Sequence, residues 1–366
     1  MRIALSGGGT GGHVYPALSI AAAVRREVSA NGRLELMYIG SAGGQEEEIV
    51  TRDGIPLRTI SSAPIRGRAA WEMAANAGKL SLGIKQAREL LAEFRPEVVL
   101  STGGYAGFPV AVAARTRRIP IVLYLPDLYP GWAVRAIAPL ARRICVTAVE
   151  SLRKLPAGKT VVTGYPVRTD FCHVTRAEGR ARLGLGAEEK VLFVAGASSG
   201  ARSINKAIAA ELPALLELCE VVHISGRSDE PWLTEIREGL SPELQSRYHL
   251  HGYMHEDFPW AMAAADLALC RSGASVMGEL PAVGLPAVLV PLPIAGGHQR
   301  PNARYLESNG AAVILENEDL DRMLPLVGGL LHDETRLRSM REAARRLSRP
   351  DAAGRIAKIL VAAEAA

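Results

Sequence analysis

Short apolar runs alternate along the chain with longer stretches in which apolar residues recur at helical spacing. In the first half, the predicted strands are residues 2–6, 35–39, 98–101, 121–124, 144–147 and 160–163. The predicted helices between them are residues 16–28, 46–52, 75–94, 107–116 and 132–138. This alternation is typical of a parallel sheet that is covered by helices on both faces.

The same alternation restarts after a segment rich in glycine and proline, residues 163–169, which we interpret as a linker. The strands predicted there are residues 190–195, 221–225, 248–252, 267–270, 287–291 and 312–315, with a helix over 203–218. The pattern predicts an α/β protein of two Rossmann-like, doubly wound parallel-sheet domains facing a cleft, 1–164 and 165–349. A C-terminal helix at about 350–366 is expected to pack back on the first domain. Ligands of such sheets bind beyond the carboxyl ends of the strands.

Length and composition agree with two packed domains. The chain has 366 residues, of which 48% are hydrophobic, and this is more than one typical core holds. It shows neither a secretory signal nor a run of about 18 apolar residues, so we expect no membrane span. Four widely spaced cysteines, Cys145, Cys172, Cys219 and Cys270, indicate buried, reduced thiols in a cytosolic protein.

Charge is distributed unevenly between the two halves. Residues 1–168 contain 22 Lys and Arg against 12 Asp and Glu, whereas residues 169–366 contain 21 against 26. The basic first half could meet an anionic membrane surface or another anionic partner, and ordinary solvated helix faces are the alternative.

A glycine-rich segment follows the first predicted strand and precedes the first helix. Gly7, Gly9 and Gly12 match the pattern G-x-G-x-x-G in the required context. Glycines let a backbone approach a ligand closely, and a helix N-terminus favours anions. A dinucleotide site would also need an acidic residue where the second strand ends, and Ser41 supplies no carboxylate there. His13 stands directly after the glycines, where it could accept a proton near neutral pH or serve as a hydrogen-bonded structural residue.

Two further loops repeat the order of strand, glycines and helix. Gly103 and Gly104 precede Tyr105, whose phenol would lie at the mouth of the cleft, although a tight turn explains this pair of glycines equally well. In the second half, Gly196 and Gly200 flank two serines in front of a helix, which indicates a cradle for phosphate.

The last polar segments belong to the second half. Glycine and hydroxyl residues precede Glu279, whose carboxylate could accept both hydroxyls of a ribose or cap a helix. His298, Gln299 and Asn302 crowd the start of a later helix, and amides at positions i and i+3 suit sugar hydroxyls.

In order along the chain stand GGGTGGHVYPAL, TGGYAGFP, TGYPVR, GASSGAR, RSGAS-x-x-GELPAVGLPAVLVP and HQRPNA. Taken together, these motifs resemble the bacterial MurG family over essentially the whole chain. That family has the two-domain glycosyltransferase B fold and serves peptidoglycan synthesis, and hence cell-wall biogenesis, cell shape and division. The resemblance implies an inverting transfer of N-acetylglucosamine from UDP-GlcNAc to the muramyl-pentapeptide on undecaprenyl diphosphate, converting lipid I to lipid II. It implies no cofactor, no metal and no nucleic-acid partner.

The resemblance also implies roles for individual residues. Thr10, Gly11 and Gly12 would approach the donor, with His13 as the candidate catalytic base. Arg168 and Ser198 would lie on the diphosphate, the backbone of Met254 would read uracil, and Gln299 would hold the sugar, with Asn302 in the same motif. Asp127 falls where the family has an asparagine near the donor or acceptor. Tyr105, at the mouth of the cleft, is a further candidate for substrate contact on its position alone. The nucleotide-binding turn would comprise Ala274, Ser275, Val276, Met277, Gly278 and Glu279, with Glu279 on the ribose.

The chain departs from the family pattern mainly in its first half. Tyr124-Leu-Pro-Asp127 replaces His-Glu-Gln-Asn, and Tyr165 replaces an asparagine. Three smaller departures are Gly107 for serine, Ala197 for glycine and Val276 for threonine. These changes leave UDP-sugar binding as the expectation but open the identity of the acceptor. One alternative is a related UDP-sugar glycosyltransferase acting on diacylglycerol. A UDP-sugar epimerase, the other alternative, would need acid–base carboxylates beyond Glu279 and Asp127.

A lipid-linked acceptor implies a peripheral protein on the cytoplasmic side of the cell membrane. Residues 65–71 mix apolar and basic side chains and could form an interfacial patch. The patch would further include Leu80, Leu82, Lys85, Arg115, Arg117 and Arg118. An ordinary amphipathic helix is the alternative.

Overall fold

The chain forms two compact units. The computed structural model describes residues 1–8, 11–28, 33–43, 46–63, 70–196, 200–293 and 297–364. The first unit comprises Met1–Arg168 together with Arg349–Ala366, and the second comprises Thr169–Ser348. The chain therefore leaves the first unit after Arg168 rather than after residue 164.

The first unit is built on a seven-stranded parallel sheet in the order β3-β2-β1-β4-β5-β6-β7. Its strands are β1 Arg2–Ser6, β2 Glu35–Ser41, β3 Leu57–Ile60, β4 Val98–Ser101, β5 Ile121–Leu125, β6 Arg143–Val146 and β7 Thr160–Val162. The helices between them are α1 Gly11–Val28, α2 Glu46–Arg52, α3 Ala70–Phe94, α4 Gly104–Thr116 and α5 Trp132–Ile137. The strand order reverses beside β1, so the loops after β1 and β4 diverge at a switch point where ligands bind in such sheets.

The second unit repeats this architecture with six parallel strands in the order β10-β9-β8-β11-β12-β13. The strands are β8 Val191–Ala195, β9 Glu220–Ile224, β10 Tyr248–His251, β11 Leu267–Cys270, β12 Ala287–Leu289 and β13 Ala312–Ile314. The helices are α6 Arg176–Leu183, α7 Arg202–Ala210, α8 Leu212–Leu218, α9 Glu230–Glu238, α10 Pro242–Ser246, α11 Phe258–Ala264, α12 Glu279–Val283, α13 Gln299–Ser308, α14 Met323–His332 and α15 Glu334–Leu347. The predicted α/β class with two doubly wound parallel sheets is confirmed.

The hydrophobic pattern predicts these elements because the central strands are buried on both faces. All residues of β4, β5, β8 and β11 are buried, as the continuous apolar runs indicated. The pattern missed β3, an edge strand in which Arg58 and Thr59 are exposed. The single helix predicted over 203–218 is wrong, because Pro213 lies in the first turn of a new helix, α8.

The last helix, α16 (Ala352–Glu364), belongs to the first unit and packs on α1 and on the central strands. The chain reaches it beside Gly164, where a Cβ would press into Arg349 and Ala352 and where φ is +97°. Glycine is required at this crossing because both the backbone angle and the space exclude a side chain.

The four cysteines differ in their exposure. Cys145, Cys219 and Cys270 are buried, but Cys172 is exposed because it ends the short 3-10 turn Thr169–Cys172. The prediction of a buried Cys172 is therefore wrong. Within the described part of the chain, no helix has the length and apolar character needed to cross a bilayer.

Candidate functional site

Two glycine loops of the first unit pack backbone against backbone at the carboxyl edge of the sheet. A Cβ on Gly7 would collide with the Thr102 hydroxyl, and a Cβ on Gly104 would collide with the backbone of Gly8. Gly104 also has a φ of +74°, a backbone angle that residues with a side chain rarely adopt. The chain after β1 and the chain after β4 thus approach each other so closely that only glycine fits at positions 7 and 104.

His13 is held on this surface by Thr102. Its Nδ1 atom lies 2.6 Å from the carbonyl oxygen of Thr102, and the Thr102 hydroxyl donates to the His13 carbonyl at 2.8 Å. The Thr102 amide in turn donates to the Ser6 carbonyl at 2.9 Å. Because a carbonyl can only accept, Nδ1 carries the hydrogen, and the lone pair of the neutral ring is on Nε2. The half-buried ring can therefore accept a proton at Nε2.

The other predicted residues of the first unit stand at the same edge of its sheet. Gly11 and Gly12 open α1, and Tyr105 is half exposed in the first turn of α4. Asp127 follows β5 and is half buried. The Arg168 guanidinium lies 5.4 Å from the centre of the Tyr15 ring, which places this cation beside the start of α1. Thr10 lies outside the described residues.

Two departures from the family pattern contact each other. The rings of Tyr124 and Tyr165 meet edge to face with centroids 6.3 Å apart, and both side chains are buried. The Tyr124 hydroxyl shares a 2.9 Å hydrogen bond with that of Thr147. Burial raises the pKa of Tyr124 well above its ordinary value, so the phenol stays neutral. The aromatic pair therefore acts as packing under the edge.

A third departure also has a packing cause. A Cβ on Gly107 would lie 2.9 Å from the Ser101 hydroxyl. The serine usual at this position would need its neighbour to move.

Glu46 is a residue that the sequence analysis missed. Its side chain is fully buried, and its Oε1 accepts a 2.6 Å hydrogen bond from the amide of Ser41, the last residue of β2. A Cβ on Gly8 would press into the same carboxylate. The end of β2 itself carries no carboxylate, but the fold brings one back to it from the start of α2. The sequence indicates this residue only through the run Glu46–Glu48 at the start of a predicted helix, and the run does not show which glutamate is buried.

In the second unit, Gly196 after β8 lies close to Gly200 and Ala201 before α7. A Cβ on Gly196 would collide with the backbone of Gly200 and Ala201, and one on Gly200 would collide with the Ser225 carbonyl. The N-terminus of α7 therefore lies at the carboxyl edge of β8, where its amides favour an anion. Ser198 lies outside the described residues.

The predicted nucleotide-binding turn follows β11. Ala274–Met277 forms a 3-10 turn and leads through Gly278 into α12, which starts at Glu279. Ala274, Val276 and Met277 are buried, whereas Ser275 and Glu279 are half buried. Burial, and then the nearby charge of Glu279, raise the pKa of the Cys270 thiol to about 12. Of this turn, the described side chains that a ligand could meet are therefore those of Ser275 and Glu279.

Gln299 and Asn302 occupy the start of α13 but differ in exposure. Asn302 is fully buried and donates through Nδ2 to the Ser272 carbonyl at 3.2 Å. The Ser272 hydroxyl donates to the Gln299 carbonyl at 2.9 Å, and Gln299 Oε1 accepts from the Leu292 amide at 3.0 Å. Asn302 thus supports the loop after β11, while the half-buried Gln299 anchors the loop after β12. Met254, after β10, is buried.

Comparisons with known proteins extend over both units. The model of the glycosyltransferase family 28 N-terminal domain matches residues 3–146, and that of the C-terminal domain matches residues 191–356. The UDP-N-acetylglucosamine--N-acetylmuramyl-(pentapeptide) pyrophosphoryl-undecaprenol N-acetylglucosamine transferase of Roseiflexus sp. (strain RS-1) is 41% identical, over 98% of this chain and 94% of its own. The protein of the same name from Moorella thermoacetica is 38% identical, over 99% and 98%. The crystal structure of Acinetobacter baumannii MurG has the same fold, with a TM-score of 0.73 at 24% identity over 99% of each chain.

Proposed function

The chain belongs to the MurG family within glycosyltransferase family 28, and we propose that it transfers N-acetylglucosamine from UDP-GlcNAc to the muramyl-pentapeptide of pyrophosphoryl-undecaprenol. It is a glycosyltransferase with the glycosyltransferase B fold, and this reaction is a step of peptidoglycan synthesis. The first unit would bind the acceptor, and the second would bind the donor.

The hydrogen bond between His13 and the Thr102 carbonyl is the observation that carries this proposal for the chemistry. It leaves Nε2 as the proton acceptor of a half-buried ring beside a bare glycine surface. In the proposed step, Nε2 takes the proton of the acceptor hydroxyl. The oxygen of that hydroxyl attacks the anomeric carbon of the donor sugar at the same time. The bond from that carbon to the diphosphate breaks, UDP leaves with both electrons, and the configuration inverts.

Donor binding would draw on the second unit. There the N-terminus of α7 would stabilise the charge of the leaving diphosphate, and the family resemblance assigns a role on the same diphosphate to Arg168. Glu279 would accept the ribose hydroxyls, Gln299 would hold the sugar and the Met254 backbone would read uracil. Within the described ranges, no three His, Cys, Asp or Glu side chains lie close enough to hold a metal ion.

The acceptor side contains the aromatic pair and Asp127. Because the buried rings of Tyr124 and Tyr165 pack against each other, these two departures are explained by packing. Asp127 remains as a half-buried group that an acceptor could meet, where the family pattern has asparagine.

A lipid acceptor also implies contact with the cytoplasmic side of the membrane. Supporting observations are the exposed apolar side chains of Leu82, Trp132 and Val149 on the basic first unit. Residues 65–69 of the predicted patch lie outside the described residues. A salt-sensitive association with anionic vesicles is expected, and its absence at low salt would remove the membrane proposal without affecting the chemistry.

A UDP-release assay tests the reaction. Purified protein is given UDP-GlcNAc with lipid-linked muramyl-pentapeptide, with diacylglycerol, or with no acceptor. We expect UDP release with the muramyl acceptor only. Turnover on diacylglycerol alone, or conversion of UDP-GlcNAc to an epimer without any acceptor, would overturn the proposal.

A further inference from the structure

The turn between β9 and α9 places two neighbouring carboxylates between two parts of the second unit. The amides of Asp229 and Glu230 both donate to the Gly226 carbonyl, at 3.1 and 3.2 Å, so the two residues belong to one tight turn. One carboxylate contacts α7, and the other contacts the end of β10.

Asp229 holds the first turn of α7. Its Oδ1 lies 2.6 Å from the Arg202 guanidinium, and its Oδ2 accepts a 2.9 Å hydrogen bond from Asn205 Nδ2. Asp229 is almost fully buried and Asn205 is fully buried, whereas the Arg202 side chain is 64% exposed. The carboxylate therefore joins the exposed cation at the helix start to the interior.

Asn205 is itself oriented by a buried chain of hydrogen bonds. Its Nδ2 also donates to the Ser225 carbonyl at 2.8 Å, which leaves Oδ1 to accept from His223 Nε2 at 3.0 Å. His223 Nδ1 then accepts from the Tyr248 hydroxyl at 2.8 Å. Each donor faces an acceptor when His223 is neutral, so the chain has a single consistent direction.

Glu230 holds the segment after β10. Its Oε1 accepts a 2.9 Å hydrogen bond from the Gly252 amide, and a Cβ on Gly252 would collide with the same carboxylate. Two residues further along stands the buried Met254. On the outer side, Arg227 lies over the ring of Tyr253, with its guanidinium carbon 5.4 Å from the ring centre.

We propose that Asp229 and Glu230 form a brace, which positions α7 and the segment 252–254 relative to each other and so sets both the phosphate affinity and the base selectivity of the nucleotide site. The two carboxylates are positioning residues that act through the backbone they hold. This inference rests on the proposed donor site. One turn, which need not touch the nucleotide, would control two separable properties of its binding, the affinity for phosphate and the selectivity for the base.

The test is calorimetric titration of the full-length chain with UDP, CDP and uridine. Glu230→Ala is expected to weaken UDP binding by about tenfold and to reduce the preference for UDP over CDP, because the base-side segment loses its charged acceptor. Asp229→Asn is expected to lower the affinity ratio of UDP to uridine while preserving the preference for UDP over CDP. Glu230→Gln, which keeps an acceptor oxygen for Gly252, should restore base selectivity.

Glu235→Ala removes the same charge from an exposed position of α9 and should leave all three affinities unchanged. Equal losses for UDP, CDP and uridine in both brace variants, or no loss, would overturn the brace. If Glu230→Ala fails to fold, Glu230→Asp takes its place, because it shortens the side chain by one methylene and withdraws the carboxylate from Gly252. The same weaker UDP binding and the same reduced preference for UDP over CDP are then expected. A wild-type chain that binds no UDP would instead refute the proposed function.

Discussion

His13 in the first turn of α1 and Thr102 after β4 are joined by two hydrogen bonds, each of which pairs a side chain of one residue with the backbone carbonyl of the other. His13 Nδ1 meets the Thr102 carbonyl at 2.6 Å, and the Thr102 hydroxyl meets the His13 carbonyl at 2.8 Å. This reciprocal pair fixes both the tautomer of the ring and the start of α1. If His13 is the catalytic base that we propose, this pair of bonds positions it.

Replacing His13 should separate chemistry from donor binding. His13→Asn keeps an amide that can donate to the Thr102 carbonyl but offers no base, so we expect kcat to fall by about 10²–10⁴-fold. The Kd for UDP, measured by calorimetry, should stay within about twofold. Undiminished UDP release in this variant would remove His13 as the base.

The Thr102 hydroxyl should contribute to both stability and rate. Thr102→Val keeps the side-chain shape but removes the donor to the His13 carbonyl, and we expect the free energy of unfolding to drop by about 0.5–1.5 kcal/mol. A several-fold loss in kcat should accompany this drop because the histidine is less well held. Thr102→Ser retains the hydroxyl and should behave like the wild type in urea unfolding and in UDP release. A serine variant as impaired as the valine variant would contradict this role.

Packing of the two glycine loops predicts a position-specific sensitivity to alanine. Gly104→Ala brings a Cβ into the backbone of Gly8 at a φ of +74°, so a loss of about 1–3 kcal/mol in the free energy of unfolding is expected. Gly158→Ala is the matched control, since no atom lies within 4 Å of its added Cβ. The comparison is made by thermal or urea unfolding, and equal stability of the two variants would refute the close approach.

His223 should make folding stability fall in mild acid. Burial lowers its pKa from 6.5 to about 3, so the unfolded chain binds more protons than the folded one between these pH values. The free energy of unfolding should therefore decrease as the pH falls below about 6.5, by about 2 kcal/mol at pH 5. Urea titrations at pH 7.5 and pH 5 measure this loss. His223→Gln, which cannot titrate, should show a smaller loss over the same interval, and an identical one would refute the assignment.

The four cysteines should differ in reactivity. Burial raises the pKa of Cys145, Cys219 and Cys270 to about 12, whereas Cys172 is exposed on the short turn that begins the second unit. A chromogenic disulfide reagent at pH 8 should therefore modify one thiol rapidly in the folded chain and four after denaturation. Cys172→Ser should abolish the fast phase, and its persistence would indicate that another cysteine is accessible.

Much of the fold could be predicted because strand and helix periods are local properties. The buried run Val98–Ser101 and the apolar helix that follows it need no distant partner to be recognised. The edge strand Leu57–Ile60 was missed because its exposed face follows no apolar pattern. In the site, motif order indicated which loops mattered, but it could not distinguish the buried, structural Asn302 from the half-buried Gln299 only three residues away.

The sequence alone was enough to establish the two doubly wound sheets and the family. The evidence was the apolar periodicity, the glycines between elements and the order of the motifs, and each of these features depends on residues close together in the chain. Tertiary packing alone decided that Glu46 lies under Gly8, that Tyr124 meets Tyr165, and that Asp229 and Glu230 hold different neighbours. These relationships join segments distant in sequence, and each depends on whether a side chain of given length reaches a backbone that another element has placed. No local sequence pattern contains the distance between such a side chain and such a backbone, because that distance is set only when the sheets have formed.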